Sequence, residues 1–127
     1  AMQQYNEIKN IICPNGDYIC SIVSFKNAIH NGIIDGRKSR ILRVRSVEET
    51  TQTIFNSTIY CPIGNNSECH IKSDDSIEAF QFSIINADDT YILNISSGAR
   101  DAFSNVILNA RNVNTIYIQC IWENSCN

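Results

Sequence analysis

One short apolar pattern returns five times along the chain, and this repeat limits the fold more than any other feature. It reads Cys20-Ser21-Ile22-Val23-Ser24, Leu42-Arg43-Val44-Arg45-Ser46, Cys69-His70-Ile71-Lys72-Ser73, Leu93-Asn94-Ile95-Ser96-Ser97 and Ile116-Tyr117-Ile118-Gln119-Cys120. The central residues Ile22, Val44, Ile71, Ile95 and Ile118 lie 22, 27, 24 and 23 positions apart. A second pattern keeps step with the first, marked by Ile11, Ile33, Ile59, Ile84 and Ile107. Ahead of it stands a bulky residue, Ile29, Phe55, Phe80 or Phe103, usually behind a small one such as Ala28, Ala79 or Ala102. Repeats of this length belong to stacked architectures, in which each unit buries its apolar edge only against its neighbours.

Alternation of apolar and polar residues over four to six positions predicts strands, and the chain is rich in isoleucine and poor in strong helix formers. Two or three strands in each repeat predict an all-β, single-domain parallel β-helix of about five coils over residues 1–127. At about 4.8 Å per coil the rod would be about 24 Å long. Turn residues fall between the marker strands or just after the second, as in Asn15-Gly16-Asp17, Asp35-Gly36, Gly64-Asn65-Asn66, Asp88-Asp89 and Ser97-Gly98. Ser24, Ser46, Ser73, Ser97 and Cys120 should form a vertical row that can hydrogen-bond along the axis. A β-sandwich is the alternative fold, but its strands face different partners and give no reason for two patterns to share one register.

The six cysteines fall into neighbouring pairs, Cys13 with Cys20, Cys61 with Cys69 and Cys120 with Cys126. Each pair closes a short loop, which suits local disulfides in an oxidising compartment. Zinc is the rival reading; none of the pairs has the tight spacing of common structural zinc sites, and there are only two histidines. Three acceptor triplets at Asn56, Asn65 and Asn94 point to N-glycans and hence to secretion or the cell surface. A net charge of −3 gives no general attraction to nucleic acid, and no apolar run is long enough to insert in a membrane as a helix.

The combination Ile12-Cys13-Pro14 with Cys20-Ser21-Ile22, and Ile59-Tyr60-Cys61-Pro62 with Cys69-His70-Ile71, resembles the cysteine-rich β-helix repeats of secreted or surface proteins of protists. The resemblance covers nearly the whole chain and implies a right-handed parallel β-helix in an extracellular setting. It carries over no catalytic residue. Cysteines are missing from alternate coils, where Asp35, Asn86 and Asn109 are expected in place of Cys13 and Cys61.

Residues 37–45 hold five of the ten basic side chains. Strand alternation turns Arg43 and Arg45 outward beside His70 and Lys72, forming a basic wall that could bind acidic glycans, unless Glu48, Glu49, Asp74 and Asp75 balance it. Asp74-Asp75 and Asp88-Asp89 raise the question of a polysaccharide-cleaving enzyme, but adjacent strand residues face opposite ways and no long loops rise to wall a cleft. His30 and His70 lie far apart in sequence with no serine in a nucleophile-elbow context, so no catalytic group, cofactor or metal is expected. The ends of the solenoid are more informative. Ile8, Ile11 and Ile12 at one end and Ile116, Ile118 and Trp122 at the other remain apolar, and neither terminus carries an amphipathic helix to cover them. The expected function is therefore non-enzymatic: head-to-tail self-assembly into an extracellular filament or surface coat. A glycan-binding module using the basic wall is the alternative.

Overall fold

A computed structural model describes residues 10–24, 29–47, 53–74, 79–98 and 101–120. These contain twelve strands and no helix. A long wall stacks β2 (Gly16–Ser24), β5 (Ser39–Ser46), β8 (Gly64–Ser73), β10 (Thr90–Ser97) and β12 (Thr115–Cys120) in that spatial order. A short wall stacks β1 (Asn10–Ile12), β4 (Ile33–Asp35), β7 (Thr58–Tyr60), β9 (Ile84–Asn86) and β11 (Ile107–Asn109). The third wall begins with β3 (Ile29–His30) and β6 (Ile54–Phe55). Backbone bonds from Ile54 N to Ala79 O and from Phe80 N to Ala102 O, both 2.8 Å, continue it. Every strand pair is parallel, and the chain winds through about four full turns of a β-solenoid.

The long wall has the expected register. Cys20, Leu42, Cys69, Leu93 and Ile116 form one inward column, and Ile22, Val44, Ile71, Ile95 and Ile118 form the next. The serine row also stands in register, with Ser24, Ser46, Ser73 and Ser97 buried at a corner. Burying hydroxyls requires partners, and the bends supply them. Ser24 Oγ donates to Thr53 O at 3.2 Å and Ser46 Oγ pairs with Thr53 Oγ1. At a second corner Ser57 Oγ accepts from Gly32 N at 3.1 Å, and Ser83 Oγ accepts from Ser57 N at 3.2 Å.

The short wall differs by one residue in three coils. Its inward column is Ile11, Ile34, Ile59, Ile85 and Leu108, so Ile33, Ile84 and Ile107 of the expected marker face outward. The pairs Ile33-Ile34, Ile84-Ile85 and Ile107-Leu108 are apolar at both positions, so alternation alone cannot choose between them. The corner decides: Asn31, Asn56, Phe82 and Asn105 all adopt positive φ, and the third residue after each points inward. A similar shift moves Phe55 outward. Ile29, Ile54, Phe80 and Phe103 fill the third wall, with the last two rings stacked at 4.9 Å. Ala79 and Ala102 are buried beside them, whereas Ala28 lies outside the described residues.

Cys13 and Cys20 are bonded, as are Cys61 and Cys69. Cys120 is also disulfide-bonded, and Cys126 lies outside the described residues. Gly36, Ala87 and Ala110 replace the first cysteine in the other coils, rather than Asp35, Asn86 and Asn109. Cys13 N bonds Asp35 O, Gly36 N bonds Tyr60 O, Cys61 N bonds Asn86 O and Ala87 N bonds Asn109 O, which aligns these residues in one column. The substitution follows from volume. A disulfide fills the corner in two coils, and a small residue facing Leu42, Leu93 or Ile116 fills it in the others. At Gly36 there is no room for more, since an added Cβ would lie 2.9 Å from Leu42 Cδ2.

Candidate functional site

Three surfaces carry the candidate chemistry: the open end of the stack, the outer face of the long wall, and the corner where the two main walls meet. At the open end, β12 continues the inward columns but leaves them uncovered among the described residues. Ile116 is 45% exposed and Ile118 52%, whereas Leu93 and Ile95, one coil below, are 0% and 4%. Ile85, Ile95, Phe103, Val106, Leu108 and Ile118 line an apolar notch of about 160 Å³ there. At the other end Ile11 is partly buried and Ile12 faces outward. Ile8 and Trp122 lie outside the described residues.

On the long wall, Arg43 stands beside His70 and Arg45 beside Lys72, as alternation requires. Acids meet most of these charges. Arg45 Nε lies 2.6 Å from Asp74 Oδ2, Lys72 Nζ 3.4 Å from Asp74 Oδ1, and His70 Nε2 2.9 Å from Glu68 Oε1. Among the described residues Arg43 makes no ion pair; Glu48, Glu49 and Asp75 lie outside them. The acceptor triplet at Asn94 falls on this same face, with His70 on one side and Tyr117 on the other. A glycan on Asn94 would cover the wall that an acidic glycan would have to reach. Asn65 is exposed, and Asn56 uses its side-chain amide to donate to Asn31 Oδ1 at 2.6 Å.

Of the two aspartate pairs, Asp88-Asp89 serves a turn. Asp88 Oδ1 accepts from the Arg111 backbone N–H at 2.7 Å, and Oδ2 accepts from Arg111 Nη2 at 3.0 Å. The backbone bond first, and then the guanidinium, hold the Asp88 carboxyl below the usual carboxylate range. Asp89, at positive φ, accepts from Asn112 Nδ2 at 3.1 Å. In the second coil Asp35 takes the Arg37 guanidinium at 2.7 and 2.9 Å and the Arg37 N–H at 3.1 Å. Its carboxyl is likewise held low, chiefly by the side-chain bond and against a smaller opposing effect of burial. His30 packs on Phe55 at 5.4 Å on the third wall, away from His70 on the long wall.

The corner between the main walls was not singled out by sequence reasoning. Asp17 forms an ion pair with Arg40, whose Nη1 lies 3.9 Å from Glu68 Oε2, and Tyr91 and Asn66 line the same depression. The signal was a difference in length. Cys13 to Cys20 spans seven positions and Cys61 to Cys69 eight, whereas Gly36 to Leu42 and Ala87 to Leu93 span six.

Among the described residues no cluster of His, Cys, Asp and Glu could hold a metal ion, and no helix is long and apolar enough to cross a membrane. The fold and its bonds define a cysteine-rich, disulfide-linked β-solenoid. Comparison with known families, curated proteins and solved structures finds no match to this chain. Its function must therefore be argued from its own geometry.

Proposed function

We propose that this chain is a non-enzymatic structural glycoprotein of the cell exterior, a β-solenoid module that stacks end to end into a filament or surface coat. One observation carries the reading: at β12 the inward columns continue at full register while Ile116 and Ile118 remain half exposed. A second copy offers the complementary edge. Placed one strand spacing beyond β12, its β2 would set Cys20 on Ile116, Ile22 on Ile118 and Ser24 on Cys120, and its β1 would set Ile11 on Leu108. Like would then stack on like across the joint, with the backbones of the two edge strands in parallel register. Such a head-to-tail contact does not close on itself, so it propagates. Disulfides and surface acceptor asparagines fit an oxidising exterior, and the cysteine pattern resembles that of secreted protist repeats.

Electron microscopy and sedimentation over a range of concentrations test the reading. The expected result is rods whose length grows with concentration, and Ile118→Lys should leave single folded modules. Monomers at every concentration would overturn it, because β12 would then be covered within one chain or remain solvated. Salt-sensitive retention of such monomers on an acidic glycan would favour the wall of Arg43, Arg45, His70 and Lys72 instead.

A further inference from the structure

Regular pairing in the long wall breaks at two places, and both lie at the same corner. Between Gly16 and Ile19 on β2, Asp17 and Tyr18 oppose Arg40 alone on β5. Between Gly64 and Glu68 on β8, Asn65, Asn66 and Ser67 oppose Tyr91 alone on β10. The extra residues cannot enter a filled interior, so they bulge outward. Each bulge opens on a glycine with positive φ, Gly16 at 149° and Gly64 at 125°, and each lies inside a disulfide-closed loop. Coils one and three thus raise two stapled ridges, with the tight second coil as the floor between them. Ridge to ridge is two strand spacings, about 9.6 Å, room for one sugar ring lying flat.

The trough contains two adjoining depressions of about 530 and 470 Å³ that share Asp17, Arg40 and Asn66. Its walls are set rigidly: Ser67 Oγ donates to Gly64 O at 2.7 Å and accepts from Tyr91 N at 2.9 Å. Arg40 gives its Nε to Asp17 and is drawn toward Glu68, which is itself fixed by His70, so one guanidinium is shared across three coils. The Asp17 carboxylate is 84% exposed and retains an oxygen for a ligand. Asp17 and Glu68, together with Asp35, which holds the Arg37 guanidinium at the edge, balance Arg37, Lys38 and Arg40, so the trough is rich in donors and acceptors while its charges cancel. An exposed aromatic side chain, Tyr91, stands at one side.

We propose that this trough binds a short neutral saccharide. Carboxylates accept hydrogen bonds from neighbouring sugar hydroxyls, the guanidinium and the Asn66 amide donate to ring and hydroxyl oxygens, and a tyrosine ring can cover the C–H face of a pyranose. A metal ion does not suit a floor occupied by Arg40, and a uronate gains nothing from balanced charge. Two sources supply the same chemistry: a glycan on another molecule, or the inner sugars of a glycan on Asn65, which stands on the third-coil ridge. The inference is independent of end-to-end assembly, because the trough lies on the flank.

Isotope-labelled protein made without glycosylation is titrated with neutral gluco-, manno- and N-acetylglucosamine oligosaccharides and observed by NMR. The expected result is saturable millimolar binding that shifts Asp17, Arg40, Asn66 and Tyr91, weakened at least tenfold by Arg40→Gln or Tyr91→Ala and unchanged by Arg45→Gln. Circular dichroism melts confirm that each variant is folded. In a second arm the protein is made with its glycans: shifts at the same residues without added sugar, lost in Asn65→Gln, assign the occupant to the chain itself. No shift in the trough in either arm overturns the proposal. Binding restricted to acidic oligosaccharides and abolished by salt also overturns it and moves recognition to the long wall.

Discussion

Successive coils close the same corner in two different ways. The first and third use a covalent bond, Cys13–Cys20 and Cys61–Cys69, and carry one or two extra residues that project as ridges. The second and fourth place Gly36 against Leu42 and Ala87 against Leu93, carry no extra residues, and hold the turn with an aspartate bonded to arginine, Asp35 to Arg37 and Asp88 to Arg111. The interior is nearly the same in both, because stacking coils must match in cross-section. The difference is expressed outside. A disulfide permits a longer turn, and a longer turn permits surface relief; the tight coils supply the floor.

The strongest way to break this comparison is to remove the packed closure. Leu93→Ala, in a tight coil and fully buried, should cost about 2–5 kcal/mol in chemical denaturation, since no disulfide compensates for the cavity. Cys61→Ala with Cys69→Ala should cost about 2–4 kcal/mol and should also disorder the third-coil ridge, visible as loss of amide protection at Asn66 and Ser67. If Leu93→Ala proved milder than the cysteine pair, packing in the tight coils would not be equivalent to the bond.

The repeat made the long wall legible because Ile22, Val44, Ile71, Ile95 and Ile118 each sit between two polar or outward residues. The short wall was ambiguous wherever two apolar residues adjoin. Asn10-Ile11 and Thr58-Ile59 are the two coils with a polar residue at the outward position; counting three places from Asn31 and Asn105 would have resolved two of the others, whereas the fourth coil turns at Phe82, which gives no such signal. Side-chain pairing was less legible still. The basic wall was read from outward positions, with Asp74 among the acids named as able to balance it; Asp74 does so from the end of β8, whereas Glu68, two positions before His70, was not foreseen. The trough was hidden because its residues come from β2, β5, β8 and β10, and only the unequal loop lengths hint that they converge.

A smaller effect tests the closure from the opposite direction. Gly36→Ala places a methyl 2.9 Å from Leu42 Cδ2 and should cost about 1–3 kcal/mol by overpacking; combining it with Leu42→Val should recover part of the loss. At the open end, Ile118→Ala should cost less than about 1 kcal/mol in the isolated module, against about 2–5 kcal/mol for Ile95→Ala one coil below. An equal loss at both positions would mean that Ile118 is buried in solution, which is the expected state once modules have stacked. Measuring the pair at low and high concentration therefore reads assembly through stability.

The smallest effect separates the two closures by their chemistry. Asp35 has a lowered carboxyl pKa when folded, through its hydrogen bond to Arg37, so the folded form binds its proton less readily than the unfolded chain, whose value is about 3.9. The stability contributed by this pair is present above about pH 4 and is lost as pH falls through the lowered value. With Arg37 half exposed, solvent screens the pair, so the loss should be smaller than any of those above. Asp88 changes in the same direction, held low by the Arg111 N–H. Asp35→Asn should flatten the acid limb of a melting-temperature profile, whereas breaking the disulfides should lower the whole profile and leave that limb in place. A cysteine variant whose acid limb vanished would show that the tight coils depend on their stapled neighbours, and that the two closures are not independent.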